Sequence, residues 1–274
     1  MNGRDGVRAA YDRARSEDRA ALVGYLPAGF PTYDGAVEAA KAMVDGGCDV
    51  IEIGLPYTDP MMDGPTIQDA VHQALVGGIR VADVFRTVEA VAATGVPTLV
   101  MTYWNPVDHY GVDAFARDLA SAGGAGLITP DLTPEEAGPW LEAADAHDLD
   151  RVFLVALSST DERIATITEA CRGFVYAASL MGVTGARAAV DTGAPRLVER
   201  TRTVLAKNGS TLPVGLGLGV GNGAQAAEVA GFADGVIVGS AFIRRLLDAP
   251  DPRAGLAGVR ELTAELAAGV RGNA

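Results

Sequence analysis

The sequence predicts an α/β protein: a TIM (β/α)8 barrel with an extra N-terminal helix, built as a single domain over residues 1–274. Three observations predict it. Short β-rich apolar runs recur eight times along the chain, with segments of helical period between them, which implies a parallel sheet. The length suits eight β/α units in one barrel. The alternative is an open doubly wound sheet, but no dinucleotide fingerprint follows the first run, where "YLPAGFPT" stands instead.

The elements follow in order. A helix from about Arg4 to Arg15 precedes the first strand and is expected to cap the barrel bottom. The strand candidates are Ala21–Leu26, Val50–Gly54, Thr98–Thr102, Gly126–Ile128, Val152–Ala156, Phe174–Ala177, Val214–Leu218 and Gly235–Val238. After the first strand, Ala36, Val37, Ala40, Met43 and Val44 fall on one helical face. "TPEEAGPWLEAADAH" reads as a helix with Thr133 as cap and Pro134 at its first position. Leu256, Val259, Leu262, Leu266 and Val270 mark an amphipathic closing helix. No linker or composition break divides the chain.

Composition narrows the function. The net charge is −13, so no basic stripe offers itself to nucleic acid or to an anionic membrane surface. An anionic substrate must then be held by backbone N–H groups rather than by net charge. Cys48 and Cys171 form no CxxC and read as reduced core thiols. His72, His109 and His147 are scattered without metal-ligand spacing, so no metal is expected. The N-terminal stretch shows no signal-peptide pattern and no apolar run reaches membrane-spanning length, so a cytoplasmic location is expected.

"IEIGLPYTDPMMDGPTIQDA" carries the most informative residues. Strand alternation turns Ile51 and Ile53 toward the outer helices, and Val50, Glu52 and Gly54 toward the barrel interior. Glu52 lies near the C-terminal end of its strand, where barrel active sites are built. It is either a structural carboxylate paired with a base distant in sequence or a general acid/base. No Lys or Arg stands between Lys41 and Arg80. An unpaired buried carboxyl holds its proton to higher pH, which suits it to proton transfer near neutrality. Asp59 and Asp63 lie in the following loop, where both fit turn chemistry, and Asp63, in Asp-Gly-Pro, reads equally as a group placed over the barrel mouth.

Three glycine-rich stretches come late: "SLMGVTGA", "GLGLGVGNGA" and "GVIVGSAF". Each alone is a tight turn. In consecutive loops after strands six, seven and eight they read as a phosphate cradle closed by a helix N-terminus. "MTYWNPVDHYG" gathers aromatics at the end of strand three, where Tyr103 and Trp104 either line a pocket or pack at the rim.

The segments "LVGYLPAGFPT", "IEIGLPYTDPMMDGPTIQ", "VMTYWNP", "ITPDLTPEE", "GVTG", "GLGVG" and "ADGVIVGSAF" together resemble the α subunit of tryptophan synthase, in an actinobacterial-like form, over nearly the whole chain. The resemblance implies retro-aldol cleavage of indole-3-glycerol phosphate to indole and glyceraldehyde 3-phosphate. Glu52 matches the family's acid/base glutamate, Asp63 its indole-binding aspartate, and Tyr176 the tyrosine beside the reacting side chain. Thr184 matches the lid threonine that holds the aspartate. Gly185, Gly219, Gly239 and Ser240 match phosphate-binding positions, and Asp131 the aspartate that signals to the partner. The resemblance implies no cofactor in this chain. It implies a β subunit carrying pyridoxal phosphate, an αββα heterotetramer and an indole tunnel. A stand-alone lyase and a non-catalytic activator of the β subunit are the other readings. Leu218, Gly221, Leu180 and Thr133 depart from the common family pattern.

Overall fold

The computed structural model describes residues 6–178, 193–217 and 219–272. Helix α1 (Val7–Ser16) precedes strand β1 (Ala21–Pro27) and helix α2 (Tyr33–Gly46). Strand β2 (Val50–Gly54) leads into two helices, α3 (Pro65–Val76) and α4 (Val81–Ala92). Strand β3 (Thr98–Met101) is again followed by two, α5 (Trp104–Tyr110) and α6 (Val112–Ser121). Then come β4 (Gly126–Ile128), α7 (Gly138–Ala146), β5 (Asp150–Val152), β6 (Leu154–Ala156), α8 (Asp161–Ala170) and β7 (Val175–Ala178). The chain ends with α9 (Ala194–Lys207), β8 (Val214–Gly217), α10 (Gly223–Ala230), β9 (Gly235–Val238), α11 (Ser240–Leu247) and α12 (Pro252–Val270).

The sheet runs β5-β4-β3-β2-β1-β9-β8-β7-β6, with every named pairing parallel. The expected fifth strand is split at Phe153. Its lower half, β5, pairs with β4, and its upper half, β6, pairs with β7. The Phe153 carbonyl accepts the Tyr176 N–H at 3.2 Å. The chain itself therefore joins the two sheet edges, and eight staves close into a barrel. Closure staggers the strands, and this short fifth strand accommodates the stagger by serving one neighbour with each half.

Two cores result. Ile51 and Ile53 lie in the outer layer, between the sheet and the helices, with Met43, Val71 and Val88. Val23, Val50, Leu99, Ile128 and Val152 fill the lower barrel interior. Helix α1 plugs the bottom with Val7, Ala10, Tyr11 and Ala14, all buried against that interior. Asp150 at the start of β5 accepts the Val7 N–H at 3.1 Å, which satisfies one of the orphan donors of the helix N-terminus. Nearby, the nearly buried Arg19 guanidinium grips Asp49 through two bonds of 2.7 and 2.8 Å. Asp49 also accepts the Leu22 N–H at 2.9 Å, tying the entry of β1 to the entry of β2.

Helix α2 starts as its pattern requires, with the Thr32 hydroxyl accepting the Gly35 N–H. The helix expected at Pro134 begins instead at Gly138. Pro139 lacks the N–H that an extended helix would need there, so the chain turns through residues 134–136 and restarts with Pro139 in the first turn. In the closing helix, Val259, Leu262, Leu266 and Val270 are buried and Leu256 is partly buried. No helix among the described residues is long and apolar enough to cross a membrane.

Candidate active site

Strand β2 delivers Glu52 into the upper barrel interior. It stands between Tyr25 of β1 and Leu99 of β3 in the sheet register. Its side chain is fully buried, and neither carboxyl oxygen has a hydrogen-bond partner among the described residues. Burial alone pushes its pKa up to about 8. The carboxyl is therefore neutral at pH 7 and close enough to its titration point to give up or take back a proton. A base from elsewhere in the sequence, as a structural role would require, is absent among the described residues.

Asp63 sits in the loop between β2 and α3, eleven positions on. The Tyr103 hydroxyl donates to Asp63 Oδ1 at 3.3 Å and itself accepts the Met62 N–H at 2.9 Å. Gln68 Nε2 donates to the Asp63 carbonyl at 2.8 Å from the first turn of α3. Partial burial raises the Asp63 pKa, and the Tyr103 hydrogen bond pulls against that rise. Asp59, by contrast, is exposed and bonded to its neighbour Thr58, the behaviour of a turn residue.

Two tyrosines flank Glu52. Tyr25 projects from β1 beneath the mouth, and its ring fits only because Gly54 and Gly239 lack side chains. A Cβ at Gly54 would lie 2.4 Å from Tyr25 Oη, and one at Gly239 3.0 Å from the ring. Asp63 and Glu52 are the first two charges that raise the Tyr25 pKa, after burial. Tyr176 projects from β7, with room made by Gly217, where a Cβ would meet its hydroxyl at 2.4 Å. Burial and then the Glu52 charge hold its phenol protonated.

The phosphate candidates fall partly within view. Ser240 is buried at the first position of α11, Gly239 is its N-cap residue, and the helix follows β9 directly. Gly219 takes a left-handed φ of 82°, which favours glycine, in the loop after β8. In the same loop the Gly221 N–H donates to Gln225 Oε1 at 2.8 Å. Thr184, Gly185, Leu180 and Leu218 lie outside the described residues. Asp131 accepts the Trp104 N–H with both oxygens, at 2.9 and 3.1 Å, and so ties the loop after β4 to the start of α5. Thr133, next in that loop, hydrogen-bonds Glu136.

Two residues of this arrangement were not legible as site residues from sequence. Tyr25 carries the same strand parity as Val23, and a Tyr opposite a Glu in register would have been its signal. Tyr103 reads as pocket wall or rim. Its hydroxyl instead holds the carboxylate loop, across 40 residues of sequence.

The pattern of the tryptophan synthase alpha chain family matches residues 11–271. The tryptophan synthase alpha chain of Salinispora arenicola is 65% identical over 265 residues, covering 97% of each chain. The solved structure of Mycobacterium tuberculosis tryptophan synthase matches at a TM-score of 0.90 and 57% identity, over 97% of this chain and 98% of that one. The crystal structure of the tryptophan synthase subunit alpha of Legionella pneumophila, at 32% identity, still matches at 0.84 over 98% of both chains. With a family match over nearly its whole length and a barrel of the same shape, the chain belongs to the tryptophan synthase alpha chain family.

Proposed function

We propose that this chain, as a single barrel domain, cleaves indole-3-glycerol phosphate to indole and glyceraldehyde 3-phosphate, a carbon–carbon lyase reaction. The observation that carries the proposal is Glu52: a fully buried, unpartnered carboxyl at the mouth end of a barrel strand, protonated up to about pH 8.

The neutral carboxyl donates its proton to C3 of the indole ring, and the ring nitrogen becomes positively charged. Asp63 takes the indole N–H as a hydrogen-bond donor and stabilises that charge as it develops. The Glu52 carboxylate left by the first step then removes the proton of the side-chain hydroxyl. The C–C bond breaks, its electron pair restores the aromatic ring, and the hydroxyl carbon leaves as an aldehyde. Glu52 ends as it began, so the reaction consumes no acid. Tyr176 and Tyr25 wall the reacting carbon. Gly219, Gly239 and Ser240 hold the phosphate through backbone N–H groups and a hydroxyl near the start of α11, together with Gly185, while Thr184 holds Asp63; Thr184 and Gly185 lie outside the described residues.

The family supports a β-subunit partner. We place this chain in a cytoplasmic αββα assembly in which the β subunit carries pyridoxal phosphate and takes up the indole, while the α chain uses no cofactor, metal or nucleic acid. Asp131, which fixes the start of α5, is the coupling residue in this reading. The test is indole release from indole-3-glycerol phosphate by the purified chain, alone and with a β subunit. Slow release that rises strongly on adding β supports the proposal. Fast release indifferent to β makes the chain a stand-alone lyase, and no release with β still activated makes it a non-catalytic activator.

A further inference from the structure

The barrel interior holds a second buried polar group that the reaction above does not use. Tyr11 of α1 is 2% exposed, and its hydroxyl has no hydrogen-bond partner among the described residues. A phenylalanine would fill the same space without the cost of an unpaired hydroxyl, about 1–3 kcal/mol. The hydroxyl is nonetheless given a shaped seat. Gly215 and Gly235 are direct partners in the β8–β9 register. A Cβ at either would lie 2.6 or 2.5 Å from Tyr11 Oη. The two glycines thus cut a notch in the barrel wall that receives the phenol head.

From this notch an aromatic stack climbs toward the site. Tyr11 stacks on Phe174 with ring centroids 5.3 Å apart, and Phe174 meets Tyr176 at 6.2 Å. Glu52 occupies the interior position one layer above Val50, which packs in the same cluster as Tyr11. Among the charged groups that act on the Tyr11 phenol, Glu52 comes first, ahead of Asp234 and Asp49 at the barrel floor. Both oxygens of Glu52 are unpartnered as well. One interior therefore contains two buried, unsatisfied polar groups, and buried polar groups are ordinarily paired, often through an ordered water.

We propose that Tyr11 is a positioning residue for Glu52: one internal water links its hydroxyl to the Glu52 carboxyl and holds that carboxyl from the side facing away from substrate. The other titratable groups near Glu52 are Tyr25 on β1 and Tyr176 on β7, with Asp63 and Tyr103 further toward the mouth. All four belong to the site, so Tyr11 is the group that can be changed without touching substrate. A donor aimed at a carboxyl favours its ionised form, so removing it raises the pH at which Glu52 gives up its proton.

The proposal rests on the reading of Glu52 as the reaction's acid only for its activity readout. The primary readout is the protonated carboxyl C=O stretch of Glu52, followed by infrared difference spectroscopy across pH and assigned by its loss in Glu52→Gln. Tyr11→Phe is expected to move the midpoint of that titration upward by about one pH unit, the size of one hydrogen bond to a charged group. The alkaline limb of indole release should move with it, with no loss of thermal stability. Superimposable titrations, or a downward shift, would overturn the proposal. So would a fall in activity with the titration unmoved, since that signals packing alone. Because the spectrum reads the carboxyl directly, the Tyr11 link is decided even if Glu52→Gln proves active and the acid role is wrong.

Discussion

The Tyr103 hydroxyl stands between the Met62 N–H and the Asp63 carboxylate, accepting from one at 2.9 Å and donating to the other at 3.3 Å. A residue at the end of one strand thereby sets the position of a carboxylate in the loop after another. Tyr103→Phe removes both bonds while keeping the ring, which lies 5.7 Å from that of Tyr57. The expected result is a drop in kcat of about tenfold, the rate equivalent of a net 1.4 kcal/mol hydrogen bond. KM should change little. An unchanged kcat with a large rise in KM would show that Tyr103 serves substrate binding instead.

In the proposed reaction Asp63 acts as charge develops on the indole ring, more than when substrate first binds. Asp63→Asn should therefore lower kcat by about 10²–10³, as loss of an electrostatic stabiliser does, and leave affinity for a substrate analogue within a few-fold. Equilibrium binding alongside steady-state kinetics separates the two. Weakened binding with intact turnover would contradict the role.

Glu52 gives the fold a predictable pH dependence. Its carboxyl ionises near 4.5 in ordinary surroundings and near 8 in the folded barrel. Between those values the native state binds the extra proton, so stability falls as pH rises through the window and levels off above it. Glu52→Gln removes the titration. Its unfolding free energy relative to wild type should therefore grow by a few kcal/mol, roughly, between pH 5 and pH 8. Urea unfolding at the two pH values checks this, and a constant difference would refute the buried, proton-holding carboxyl. The kcat/KM for indole release should likewise decline above about pH 8, as free-enzyme Glu52 ionises.

Gly217 makes room for Tyr176, since a Cβ there would lie 2.4 Å from the hydroxyl. Gly217→Ala is expected to destabilise the fold by about 1–3 kcal/mol and to lower turnover by pushing the phenol from its place. Adding Tyr176→Phe to the same chain shortens the side chain by the clashing atom and should recover part of the lost stability. Additive effects in the double-mutant cycle would mean that the two residues do not meet.

Much of the architecture was readable from pattern. Strand parity alone turned Ile51 and Ile53 outward and Glu52 inward, and the recurring apolar runs set the eight staves. The split at Phe153 was not readable, because the apolar run Val152–Ala156 passes through Phe153 without interruption and the break arises only when the barrel closes. The start of α7 does not follow from the Thr133–Pro134 signal, because the missing N–H of Pro139 ends any helix begun there and the helix restarts at Gly138. Asp63 and Asp131 could be named from motif. Their partners could not, because the Tyr103 hydroxyl and the Trp104 N–H come from 40 and 27 residues away. Tyr11 reads from sequence as the apolar face of a capping helix, and only its notch between Gly215 and Gly235 sets it apart.

The most direct measurement is indole release from indole-3-glycerol phosphate by wild type and Glu52→Gln, each with the β subunit present. A carboxyl that both gives and takes the proton should be worth at least the ~10²–10⁴ typical of an acid/base group, so the variant should fall by that much or more while still binding its partner. Near wild-type release from Glu52→Gln would contradict the assignment of proton transfer to this residue.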